Sequence, residues 1–246
     1  MLSYMATIHR RPDTLAVGAQ LAAVGGFLDA YTFIRHHVFA NLQSGNFLLL
    51  CVQATTWHWH RAILLLIPIV AFSIGVLLVE VLGLPRVEQR VRRPLRLVLT
   101  LQITALTAIA ALPADLPEEI TTVTVSFVAA LQFSTFTTLR DAPYTTLAES
   151  GNLLKALVAA HQWMTSREPA DARRAGRYGT IVAAFVAGAV GGAIMTRLVG
   201  APAIGTAAAM LTAVLLTLIH QTRQLQRHTT TPPSPPPPRP PLPPLR

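Results

Sequence analysis

NLQSGNFLLL, Asn41–Leu50, sets three amides, a hydroxyl and a glycine in front of a short apolar run. AESGNLLKAL, Ala148–Leu157, repeats the Ser-Gly-Asn core in the same setting. The apolar runs that begin after each triplet, Phe47–Trp57 and Leu153–Trp163, have about half the ~20 residues that a helix needs to cross a hydrocarbon core. Whether these pieces cross or turn back decides the fold.

The surrounding chain is a membrane sequence. Of 246 residues 52% are hydrophobic and only 13% charged, with mean hydropathy +0.46, which leaves too little polar surface to cover a water-soluble globule. The net charge of +9 lies in arginines between apolar spans, where it reads as a topology signal and as contact with anionic membrane lipids. Nucleic acid is not an expected partner. A single cysteine, Cys51, excludes an internal disulfide, and no zinc spacing or cofactor motif is present.

Six segments are long enough to span: Leu15–Ile34, Leu64–Gly83, Leu95–Leu112, Ile120–Leu139, Tyr178–Leu198 and Pro202–Ile219. The basic loops Leu84–Arg96 and Thr165–Arg177 should both be cytoplasmic. With both short pieces re-entrant, one orientation places both loops, Arg10 and Arg11 at the N-terminus, and Arg223 and Arg227 after the last span all inside. The expected fold is therefore an all-α integral membrane protein of six transmembrane helices plus two re-entrant half-helices, with both termini cytoplasmic.

Superposing the two triplets matches Phe27 with Phe133, Trp57 with Trp163 and Arg61 with Arg167. After a longer second loop, AFSIG (Ala71–Gly75) matches AFVAG (Ala184–Gly188). The chain divides into a cytoplasmic N-terminus (1–14), a first repeat (15–112), an acidic linker (113–119), a second, inverted repeat (120–220) and a proline-rich tail (221–246). An odd number of crossings per unit turns the second copy upside down, a plan used by many transporters.

A half-helix that starts at mid-membrane turns free N–H groups and the positive end of its dipole into the protein. Ser and Asn are expected as caps, and Gly as the turn. Ser44, Gly45 and Asn46 with Ser150, Gly151 and Asn152 form the candidate binding site for a small polar or charged solute, provided that the two starts meet. Candidate coupling groups are Asp29 inside the first span, Glu149 beside the second triplet and Lys155, the single lysine. The plain alternative for Asp29 is a carboxylate that bonds neighbouring backbone. Glu149 sits where Gln43 precedes the first triplet, and favours a cationic or proton-linked partner. Glu80 should snorkel to the surface. His36, His37, His58 and His60 are expected as interfacial histidines without a metal, and Gly188, Gly191 and Gly192 as a notch for close helix packing. No catalytic motif is present, so no enzyme is expected.

The blocks GGFLDAYTFIRHHVFANLQSGNFLLL and LQFSTFTTLRDAPYTTLAESGNLLKAL, with Gly26, Asp29, Phe39 and Asn46, resemble the YoaK-like family of bacterial membrane proteins, domain of unknown function 1275. The resemblance covers about Leu15–Ile219; Ser44 and Ser150 stand where members more often carry Thr. It implies a multi-span inner (plasma) membrane protein and supplies no substrate. The functional expectation is a small-solute transporter or channel. The competing one is a non-transporting scaffold or regulator acting through cytoplasmic loops and tail, and homo-oligomerisation stays open.

Overall fold

The computed structural model describes residues 14–84, 86, 94–113, 117–136, 138–139, 142–143 and 149–229. Among the described residues eight helices carry the fold: α1 (Leu15–His36), α2 (Gln43–Thr55), α3 (Trp59–Leu82), α4 (Pro94–Ala111), α5 (Glu118–Thr135), α6 (Glu149–Ser166), α7 (Pro169–Val199) and α8 (Ile204–Thr229). A two-residue antiparallel ladder, Thr138–Leu139 with Ala142–Pro143, lies between α5 and α6, and a 3₁₀ turn, Ala201–Ala203, precedes α8.

Five of the helices are long and apolar enough to cross a membrane: α1, α3, α4, α7 and the segment Ala201–Gln224 that holds α8. Their outward faces agree with this. Along α3 the side chains of Ile63, Leu66, Val70, Ile74, Leu77 and Val81 form one exposed apolar stripe at helical spacing, and Val186, Val190, Ile194 and Leu198 form another on α7. Stripes of this extent suit lipid contact.

The expected span Ile120–Leu139 becomes α5, which ends at Thr135. It opens with Glu118 and Glu119, acids well placed at a helix N-terminus, and it is not among the five apolar helices. Its polar residues point inward instead: Thr121, Thr122, Ser126, Gln132 and Thr135 are all buried, beside Val125 and Val128–Leu131. The expected loop Thr165–Arg177 is mostly helical, because α6 runs to Ser166 and α7 starts at Pro169, with only Arg167 and Glu168 between them. A left-handed backbone at Arg167 (φ 57°) makes that turn, as it does at Trp57 (φ 61°) between α2 and α3. Trp163, by contrast, lies inside α6, so its sequence match with Trp57 is not a match of position. Most of the basic loop after α3, the centre of the acidic linker, the N-terminus up to residue 13 and the tail beyond residue 229 lie outside the described residues.

α1 packs chiefly along α7 and also meets α8 and α5. α5 packs chiefly along α3 and also meets α4; α2 lies on α3, α6 on α7, and α4 on α8. The α1/α7 seam is close because glycine removes side chains from it. A Cβ on Gly188 would strike the backbone of Ala23, one on Gly192 the backbone of Phe27, and one on Gly26 the backbone of Phe185. Gly188 meets Ala23 and Gly192 meets Phe27, the same step of four on both helices, so α1 and α7 run in parallel. Gly191 has open space beside it and takes no part in the seam.

At one end of the bundle the last residues of α1 (Tyr31, Arg35, His36) and the end of α4 (Ile109–Pro113) surround the same cavity as the first residues of α5 (Glu118, Thr121) and the turn before α8 (Ala201, Pro202). α1 and α4 therefore end where α5 and α8 begin.

Candidate functional site

The first Ser-Gly-Asn is organised by α1. After His37, left-handed at φ 56°, the chain folds back along the helix it has just left. Asp29 Oδ1 accepts the backbone N–H of Asn41 at 2.8 Å, and Asn41 Nδ2 donates to Gly25 O at 2.9 Å. Gly25 lies eleven residues before the end of α1, so the start of α2 is about 16 Å below that end. Asn41, Asp29 and Asn46 are all buried.

Asn46 does not cap α2. The N-cap position is Leu42, with no side-chain bond, and the triplet forms the first helical turn. From there Asn46 Oδ1 accepts the N–H of Phe39 at 2.9 Å, and its Nδ2 donates to Phe39 O at 2.8 Å and to Gln43 Oε1 at 2.9 Å. Gln43 Nε2 in turn donates to Ala40 O at 2.9 Å. Two amides thus satisfy backbone groups of an irregular segment that dips between helices, where an unmet N–H or C=O is costly. Gly45 lets the Phe39 ring lie against α2, since a Cβ there would come within 2.8 Å of it. Ser44 is exposed.

The second triplet repeats part of this arrangement. Asn152 is buried and its Nδ2 faces Glu149 Oε1 at 3.5 Å, the counterpart of the Asn46–Gln43 pair. Ser150 is exposed, and Gly151 has open space around it. One helical turn on, Lys155 Nζ stands 5.4 Å from the centre of the Tyr178 ring on α7, within cation–π range. Lysine and tyrosine thus tie α6 to α7 in a contact that sequence spacing cannot reveal. Ala156 packs beside them with Ala22 of α1 and Ile181 of α7.

No hydrogen bond joins the two triplets among the described residues, and α2 and α6 do not pack along each other. Gln132 of α5 instead joins α1, its Nε2 donating to Leu21 O at 2.9 Å. Asp29 takes the backbone-bonding role. Glu80 is exposed, near the end of α3. Among the described residues no group of three or more His, Cys, Asp or Glu side chains could hold a metal ion.

Sequence reading missed the pairing of His36 with Glu118, whose Nδ1 and Oε2 are 3.6 Å apart. The residues are 82 positions apart, at the end of α1 and the start of α5, so only packing brings them together. No curated protein and no solved structure matches the chain. Residues 17–217 match the family described as Protein of unknown function (DUF1275), and with most of the chain covered the protein belongs to that family.

Proposed function

We propose that the protein carries a small polar or charged solute across a membrane, with the starts of α2 and α6 as two polar faces of its path. The observation that carries this reading is the depth of α2: the Asn41 side chain reaches Gly25, the middle of α1, and α2 departs from that level. Exposed Ser44 then presents a hydroxyl at the level where lipid offers no partner, which favours a water-lined groove there. Ser150 is exposed at the corresponding place on α6.

Two further observations support six crossings with α2 and α6 re-entrant. α1 and α4 end at the same cavity, so α2 and α3 together return the chain once; α5 and α8 begin there, so the same holds for α6 and α7. Exchanging the halves turns the α1/α7 contact into α5/α3, α2/α3 into α6/α7, and α1/α8 into α5/α4. The α4/α8 and α1/α5 contacts map onto themselves. Every principal helix contact has its image, as an inverted repeat requires. The positive-inside tendency then assigns the α6/α7 hairpin end, with Arg173, Arg174 and Arg177, to the cytoplasm of a bacterial inner membrane.

The test has two arms. In a Cys51→Ala background, single cysteines at His58 and Leu112 should label from outside, and those at Arg86 and Ala170 from inside; labelling of 86 and 170 from opposite sides defeats the layout. In proteoliposomes, a panel of radiolabelled amino acids, sugars and carboxylates should include one that accumulates with the protein and fails with Ser44→Trp or Ser150→Trp. Uptake no greater than in empty vesicles across the panel defeats transport. The scaffold alternative rests on loops and a tail that are mostly outside the described residues, and no observation favours it.

A further inference from the structure

The cavity where four helix ends meet contains none of the residues considered so far as a transport path. It measures about 110 Å³, the space of about four waters at ~30 Å³ each. Its most informative wall is His36. That side chain is 5% exposed, yet neither ring nitrogen has a hydrogen-bond partner. The nearest charged atom, Glu118 Oε2, stands 3.6 Å from Nδ1, beyond hydrogen-bond length. Nδ1 faces Glu118 and Nε2 is unmet, so an imidazole held this deep beside an open volume still has a nitrogen to offer a ligand atom.

The other walls carry charge of both signs. Arg35 and Glu118 both line the cavity and both reach solvent, Glu118 with 71% of its side chain exposed. α5 starts here with its positive dipole end, and α1 and α4 finish here with their carbonyl ends. Tyr31 donates its hydroxyl to Ala201 O at 3.1 Å, which fixes the turn before α8 as a wall. An anion alone would meet the Glu118 carboxylate, and a cation alone the Arg35 guanidinium. Protein donors for a metal are too few, since no three-residue group exists among the described residues.

We propose that this cavity binds a small zwitterion of about glycine's size, its carboxylate toward Arg35 and His36 and its ammonium toward Glu118. The ends of α1 and α4, the start of α5 and the turn before α8 contribute to the site, so occupancy ties these segments together. The inference goes beyond the transport reading and does not rest on it, because binding is read at equilibrium.

Radiolabelled glycine, added to the full-length protein in lipid nanodiscs, is the probe, with unlabelled glycine, acetate and methylammonium as competitors. Saturable binding is expected at one glycine per chain, with acetate and methylammonium each competing at least tenfold more weakly than glycine. Arg35→Gln and Glu118→Gln should each weaken glycine at least tenfold at an unchanged melting temperature, because both side chains lie at the exposed rim. Ile74→Ala, on the exposed face of α3, should leave it unaltered. Absence of saturable glycine binding, acetate or methylammonium competing as well as glycine, or full affinity in both charge variants overturns the proposal. Glycine binding without any flux in proteoliposomes would uphold this site while removing the transport reading.

Discussion

The side-chain amide of Asn41 donates to the carbonyl of Gly25 across 2.9 Å, sixteen residues back along the chain. Gly25 is at the middle of a 22-residue helix, so this single bond records that the chain, having reached the end of α1, returns halfway before α2 begins. Asp29 holds the returning strand from the same helix face through the N–H of Asn41, at 2.8 Å.

Asp29 therefore acts first as an anchor. Asp29→Ala should lower the stability of the detergent-solubilised protein by about 1.5–3 kcal/mol, the range for a hydrogen bond to a charged group. Asp29→Asn keeps the accepting oxygen and should cost less than half as much. If a transported solute is found, Asp29→Asn that retains both stability and coupling would remove Asp29 from the coupling candidates.

The α1/α7 seam should reject any side chain at its glycines. Gly188→Ala and Gly26→Ala each place a methyl group into backbone of the facing helix, which has no rotamer to yield, and should cost about 1–3 kcal/mol or more. Gly191→Ala enters open space and should be neutral or slightly stabilising in its helix. Melting temperatures of the three variants in one detergent decide the matter; equal losses at 188 and 191 would contradict the seam.

The two triplets should differ in tolerance despite sharing a sequence. Gly45→Ala meets the Phe39 ring and should shift the melting temperature downward, whereas Gly151→Ala meets nothing within 4 Å and should leave it unchanged. Scanning calorimetry or fluorescence melting of the pair reads this directly. Losses at Gly151 equal to those at Gly45 would argue against the described surroundings of α6.

Asn46 should be needed for the hairpin rather than merely near it. Asn46→Leu fills similar space but leaves the N–H and C=O of Phe39 without their present partners, so about 1–3 kcal/mol should be lost for each group that finds no substitute. Asn46→Asp keeps the acceptor and loses the donor, and should fall between wild type and Asn46→Leu in thermal stability.

Much of the helix plan was legible because hydrophobic length and loop charge are local properties. The start of α1 at Leu15 and of α2 and α6 beside their Ser-Gly-Asn runs follows from composition within a few residues. The polar helix α5 has the expected length but is not an apolar span, since Thr121, Thr122, Ser126, Gln132 and Thr135 face protein instead of lipid. The cap role assigned to the triplets was misplaced. An Asn one turn inside a helix looks the same in sequence as an Asn in front of one, and only the position of Phe39 distinguishes them.

By itself the sequence determined that this protein is made of apolar helices, that two of them begin alike, and that its arginines cluster between them; only α2, with 13 residues, is short, because α6 extends to 18. Those features depend on transfer of side chains between lipid and water, which each segment settles alone. Tertiary structure decided how deep α2 begins, that Gly188 rather than Gly191 faces α1, that Lys155 finds Tyr178, and that His36 and Glu118 share one cavity. Each of those depends on which helix lies alongside which, and close packing of distant segments leaves no local mark on the residues that meet.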